Sequence, residues 1–111
     1  VSRRDEQRIA DILSAADAIR SHLMRGSLSD GLVFDAVRVR LIEIGEAVKG
    51  ISAELLATEP TIPWDQMARM RDNLAHRYFD TSHAIVHATV DHDLAELEAA
   101  VRRLSGRSGS S

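Results

Sequence analysis

The sequence predicts an all-α fold, an antiparallel four-helix bundle, on three observations. Apolar residues recur at spacings of three and four in every long segment, as one face of a helix requires. No segment sustains the period-two alternation of a half-buried strand. Apolar residues make up 44% of the 111 but aromatic ones only 4%, so the core is built mainly from Leu, Ile, Val, Met and Ala, a palette that favours helices. A chain of this length is expected to form one domain over residues 1–105 and to bury roughly two-thirds of its unfolded surface.

From about Arg4 to Arg25, the residues Ile9, Ile12, Ala16, Ile19 and Leu23 make one apolar stripe, and Gly26 is a suitable stop. The stretch "GSLSDG" (26–31) reads as a turn. Phe34, Val37, Leu41, Ile44, Val48 and Ile51 carry the rhythm through a second helix. Leu32 and Val39 lie on its far side and Ile42 between the faces, which suggests that this helix meets a partner. Gly50 and Ser52 weaken it, and Ser52 can cap a short extra helical turn through Leu56. After "TEPTIP" breaks the chain, Pro63 suits the first position of a third helix and Asp65 its N-terminal dipole. Trp64, Met67, Met70 and Leu74 line that helix, which should end near Phe79. Ser82 is a good N-cap for the closing helix, whose stripe is Val86, Val90, Leu94, Leu97, Val101 and Leu104. The tail "SGRSGSS" offers no core-forming residue, so residues 106–111 are expected to be disordered.

Composition narrows the function. The absence of cysteine excludes disulfides and thiolate chemistry and fits a reducing compartment. No apolar run approaches the ~20 residues that span a bilayer, and the charged "VSRRDEQRIADI" is no secretory segment, so a soluble cytoplasmic protein without membrane contact is expected. The net charge is −3, against the basic balance of strong non-specific nucleic-acid binders. Contact with a polyanion has to come from a local patch or from an assembly.

The stretch "RMRDNLAHRYFD" (69–80) supplies such a patch. Arg, His and Tyr near a helix C-terminus fit ordinary dipole and packing chemistry, but their angles do not form one small cluster. Five residues turn a helix through ~500°, leaving Arg71 and His76 ~140° apart, while Tyr78 returns to within ~20° of Arg71. His76 shares its side with Asp72, Asn73 and Asp80. Either the helix distorts near Ala75, or a second copy of the chain supplies the complementary residue.

These residues fit R-x4-H-x-Y, and the chain resembles the HEPN superfamily, specifically its HepT-like toxins. "LIEIGEAVKGIS" (41–52) is similar to that group's second helix. "PTIPWDQMARMRDNLAHRYFD" resembles the proline–tryptophan start of its catalytic helix, and "DHDLAELEAAV" (91–101) its closing helix. The likeness runs from the first helix to about Leu104. Asp72 is the chief departure: many members carry Asn directly after the arginine, and here Asn73 follows one position later.

The resemblance implies a metal-independent endoribonuclease, without cofactor, with Arg71 and His76 catalytic and Asp72 and Asn73 supporting them. His76 can exchange protons near neutral pH, and Arg71 offers a permanently charged fork for phosphoryl oxygens. Such chemistry leaves a 2′,3′-cyclic phosphate. A homodimer, which the resemblance also implies, would place two Arg71/His76 sets along one cleft and concentrate Arg69 and Arg77 as RNA contacts. It further implies an MntA-type nucleotidyltransferase antitoxin that transfers AMP to Tyr78 and silences the nuclease. The other reading is a non-catalytic interaction module that docks a nucleotidyltransferase, which Asp72 favours.

Three other features have plainer readings. His83, His87 and Asp91 recur at the spacing of metal ligands on one helix face, but without an HExxH pattern they read as solvated surface. Of Glu43 and Glu46, one is expected to pack near the third helix and orient Arg71, the other to be exposed. "EAAVRRL" is an ordinary charged helix face with no basic-region signature for DNA.

Overall fold

The computed structural model describes residues 2–75 and 79–109, and the side chains of these except 79–81, 108 and 109. Helices α1 (Arg3–Arg25), α2 (Gly31–Lys49), α3 (Ala53–Leu56), α4 (Trp64–Ala75), α5 (Phe79–Ala88) and α6 (Leu94–Gly109) follow in order, with a π-helical turn at Thr89–Asp93 joining α5 to α6. Among the described residues there is no strand. The fold is the expected all-α bundle, in which α1 packs on α2 and α6, and α2 packs on α4.

Local chemistry sets the helix ends. Ser2 accepts from the Asp5 backbone N–H at the start of α1, and Asp30 accepts from Leu32 at the start of α2. Gly26 ends α1 in extended conformation. Ser52 caps α3 by accepting from Leu55 N–H, as expected. The carboxylate of Asp5, itself buried, accepts from Ser52 N at 2.9 Å and Ser52 Oγ at 3.0 Å. One side chain therefore joins the head of α1 to the α2–α3 corner.

Four local expectations need correction. Pro63 precedes the first helical residue of α4, its carbonyl accepting from Met67 N at 3.1 Å; a shift of one position is the usual latitude at helix ends. Ser82 does not cap the closing helix but is buried inside α5, since no Gly or Pro nearby stops the helix from starting earlier. The turn at Thr89–Asp93 is π-helical, with Leu94 N bonding to Thr89 O. Val86 and Leu94 are both buried, yet eight residues of plain α-helix would set them about 80° apart. One inserted residue cuts that to about 20° and keeps both on the core. Thr89 Oγ donates to Ile85 O at 2.8 Å, a side-chain bond of the kind that bends helices. Finally, α6 continues through Gly106–Gly109, where the disordered tail was expected to begin, and Arg107 reaches Glu59 at 2.5 Å.

Glu59 is buried beneath α6, where Arg103 Nη2 lies at 2.6 Å from its Oε1. Its backbone carbonyl accepts from Trp64 Nε1 at 3.0 Å. The loop before α4 is thus tied both to α6 and to the first residue of α4.

Hydrogen bonds from Arg103 and then Arg107 hold the Glu59 carboxyl below its ordinary value of 4.5. Its folded pKa is depressed, so its contribution to stability is full above that value and is lost as pH falls through the folded pKa. Thermal melts of the parent should fall in Tm as pH drops below about 4.5, and those of Glu59→Gln should start lower and fall less steeply. Parallel Tm–pH curves for the two proteins would contradict this.

Candidate active site

Arg71 is positioned by a backbone contact. A β-carbon on Gly45 of α2 would lie 2.8 Å from Arg71 N, 2.9 Å from Met67 O and 3.1 Å from Arg71 Cβ. Only glycine lets α2 and α4 approach this closely. The apolar face of α4, Met67, Met70 and Leu74, is buried below the contact. Arg38 of α2 donates to the Leu74 carbonyl at 2.5 Å, fixing the last described turn of α4, two residues before His76.

The next residue of α2 after Gly45 completes the setting. Glu46 Oε2 lies 3.1 Å from Arg71 Nε, as expected of one of the two glutamates. Glu43 pairs instead with Arg40, at 2.8 Å. Arg71 Nη1 meets Asp72 Oδ1 at 3.0 Å, and the other oxygen of Asp72 lies 3.4 Å from Lys49 Nζ. The Arg71 hydrogen bond, followed by the Lys49 charge, holds the Asp72 carboxyl below its ordinary value. The site is a chain of alternating charges, Glu46–Arg71–Asp72–Lys49, spanning two helices. Arg71 keeps 48% of its side chain exposed, and exposed pairs of this kind are individually weak. The guanidinium is aimed but open to exchange of partners.

Arg71 forms one wall of a groove of about 640 Å³ between α1 and α2, together with Arg8, Asp11, Arg40, Glu43 and Glu46. Arg8 pairs with Asp11 at 3.4 Å, so each arginine in the groove has a carboxylate beside it.

The other expected site residues divide. Asp72 stands with Arg71. Asn73 and Arg69 face away from it, into a second groove of about 490 Å³ closed by Met70, Thr89 and Asp93, and Arg69 Nε donates to Asp65 O at 3.3 Å. Asn73 therefore does not share Arg71's groove. His76, Arg77 and Tyr78 lie outside the described residues, as does the conformation of the chain just after Ala75. Sequence reasoning missed Lys49, although it follows Glu46 by three residues on the same helix face. His83, expected on the solvated surface, stacks face to face on Phe34 with ring centroids 3.9 Å apart. Among the described residues no three His, Asp or Glu gather as a metal site.

The family model described as "Ribonuclease HepT-like" matches residues 9–104. The chain is 34% identical over 88 residues to a "Putative RNase" of Methanocaldococcus jannaschii, covering 76% of this chain and 73% of that one. It is 40% identical over 67 residues to "Probable ribonuclease HepT" of Thermococcus cleftensis, covering 60% of this chain and 61% of the relative. A "Putative RNase" of Caldanaerobacter subterraneus subsp. tengcongensis is 39% identical over 67 residues, 60% of each chain. The matched stretch spans about three-fifths of the length of these last two relatives. No solved structure matches the chain significantly.

Alanine is favoured over glycine in a helix interior by about 1 kcal/mol, yet Gly45→Ala should destabilise the protein. Overpacking against backbone costs about 1–3 kcal/mol, and the clash at Gly45 is with Arg71 N and Met67 O, which cannot swing aside. Urea denaturation measures the sign. A more stable Gly45→Ala would show that the α2–α4 contact is looser than described.

Proposed function

The chain belongs to the HepT-like ribonuclease family, and on that premise we propose that it is a metal-independent endoribonuclease in which Arg71 and His76 act on the RNA backbone. The observation that carries the reading is the posture of Arg71. It is fixed at its backbone by Gly45, oriented at Nε by Glu46, and half exposed at the rim of a groove. A cation held this way can meet a phosphate without reorganising the fold. The names of the relatives as ribonucleases agree with it.

The reaction is transesterification. The 2′-oxygen attacks phosphorus as its proton passes to a base, and the 5′-oxygen leaves as it gains a proton, giving a 2′,3′-cyclic phosphate and a 5′-hydroxyl. Arg71 stabilises the crowded anionic phosphorane. His76 exchanges protons, a task for which histidine is the usual side chain near neutral pH. One imidazole cannot easily be base and acid in the same step, so a homodimer with two Arg71/His76 sets in one cleft suits the chemistry. Leu32, 82% exposed, and Val39, 46% exposed, on α2 are apolar surface that such an interface would cover. Arg69 and Arg77 would add RNA contacts along it.

Regulation follows the same chemistry. The partner in this reading is an MntA-type nucleotidyltransferase antitoxin, and the pair forms a toxin–antitoxin system of the cytoplasm. Attack of the Tyr78 oxygen on the α-phosphorus of ATP, with release of pyrophosphate, leaves AMP on the tyrosine. That adds bulk and one negative charge seven residues from Arg71, where it competes with RNA phosphate. A second reading, a non-catalytic module that docks the nucleotidyltransferase, draws on the two carboxylates, Glu46 and Asp72, that already meet Arg71.

RNA cleavage by the purified protein should persist in EDTA and be lost in His76→Ala and Arg71→Ala while circular dichroism stays unchanged. Loss of a general acid–base group costs ~10²–10⁴ in rate. Cleavage equal to the parent in both variants would refute the assignment, and no cleavage by the parent would favour the docking module. On co-expression with the nucleotidyltransferase, intact mass should show one AMP on the parent and none on Tyr78→Phe, which should escape silencing. An unmodified but silenced parent would mean inhibition by occlusion.

A further inference from the structure

We infer that the point between Lys49 and Arg71, taken in the free chain by the Asp72 carboxylate, is a phosphate subsite for RNA, and that Lys49 is its second cation. The inference rests on the ribonuclease reading and extends it by one residue and one competing anion.

Asp72 lies with one oxygen 3.0 Å from Arg71 Nη1 and the other 3.4 Å from Lys49 Nζ. Two cations on two different helices thus divide the two oxygens of a single anion. The non-bridging oxygens of a phosphodiester carry the same single charge and present a similar pair. Lys49 ends α2 and Arg71 lies in α4, and the Gly45 contact fixes the separation of their backbones. The pair is therefore set on rigid elements. Glu46 engages Arg71 through Nε, so departure of Asp72 opens the Nη edge without releasing the guanidinium. Lys49 and Asp72 are 40% and 49% exposed, so the carboxylate can rotate into water while phosphate replaces it. Asp72 then acts as an internal competitor that weakens RNA binding, and Lys49 contacts whichever anion is present.

The test is fluorescence anisotropy with a short fluorescein-labelled oligoribonucleotide carrying 2′-O-methyl riboses, which cannot be cleaved through the 2′-oxygen. The parent, Lys49→Gln, Asp72→Asn and the double variant are titrated across a salt series, with circular dichroism confirming the fold of each. Asp72→Asn should bind several-fold tighter than the parent. Lys49→Gln should bind several-fold weaker, and should reduce the slope of log K against log salt by about 0.7, the value for one phosphate contact to a single strand. The same loss should appear when Lys49→Gln is added to Asp72→Asn. A double variant that binds like Asp72→Asn alone, with the same salt slope, would reduce Lys49 to a tether for Asp72 and overturn the subsite. Weaker binding by Asp72→Asn, or no binding by any of the four proteins, would overturn it equally. Cleavage of ordinary RNA is scored separately. A parent that binds in this pattern but never cleaves would retain the subsite and lose the nuclease reading, whereas a cleaving parent indifferent to Lys49 and Asp72 would do the reverse.

Discussion

The close approach of α2 to α4 at Gly45 is the constraint on which the rest of the site depends. With no β-carbon in the way, the backbone of Arg71 lies against α2, and Met67, Met70 and Leu74 turn into the core. Helices usually pack with 8–10 Å between their axes, according to the side chains between them. A glycine at the contact therefore helps to set the height of Arg71 above α2. The residue after it, Glu46, then comes within 3.1 Å of the guanidinium, and Lys49 stands one turn further along. Packing and electrostatics at this site share one cause.

Charge is the second theme. The chain carries 14 basic and 17 acidic residues, and the cations around the groove are met by carboxylates: Arg8 by Asp11, Arg40 by Glu43, Arg71 by Glu46 and Asp72. A surface built this way attracts polyanions weakly at long range, because its potentials cancel within a few ångströms. Its cations are nonetheless available at contact, since exposed pairs exchange partners at little cost. On the proposed reading, selective RNA contact by such an acidic protein depends on displacing particular carboxylates rather than on net attraction.

How much of this was legible in the sequence differs by feature, for physical reasons. The four apolar stripes, the Gly26 stop and the Ser52 cap were readable because each is a local rule carried by nearby residues. Glu46 as the partner of Arg71 was readable as one of two candidates. The motif at Arg71 was legible by resemblance. The angles around α4 placed Arg71 and Asn73 on different sides, as found, but grouped Asp72 with Asn73, whereas its short side chain folds back onto Arg71. The earlier helix start, ahead of Ser82, was missed because Ser82 is a good cap in isolation, and only burial shows that it has another task. The π turn left a trace in the two successive spacings of four from Val86 to Leu94, which drift off one face of a plain helix. The last turn of α6 had no local signal, and Lys49 had only its place one turn after Glu46. Their partners, Asp72 for Lys49 and Glu59 for Arg107, are distant in sequence and become visible only once the helices are packed.

The central claim is that Arg71 and His76 cleave RNA through its own 2′-oxygen. Analysis of product termini by mass spectrometry, after digestion in EDTA, tests it most directly. The account predicts a 2′,3′-cyclic phosphate on one fragment and a 5′-hydroxyl on the other. Fragments bearing a 3′-hydroxyl and a 5′-phosphate would show that water, not the ribose, attacks phosphorus, and would contradict it.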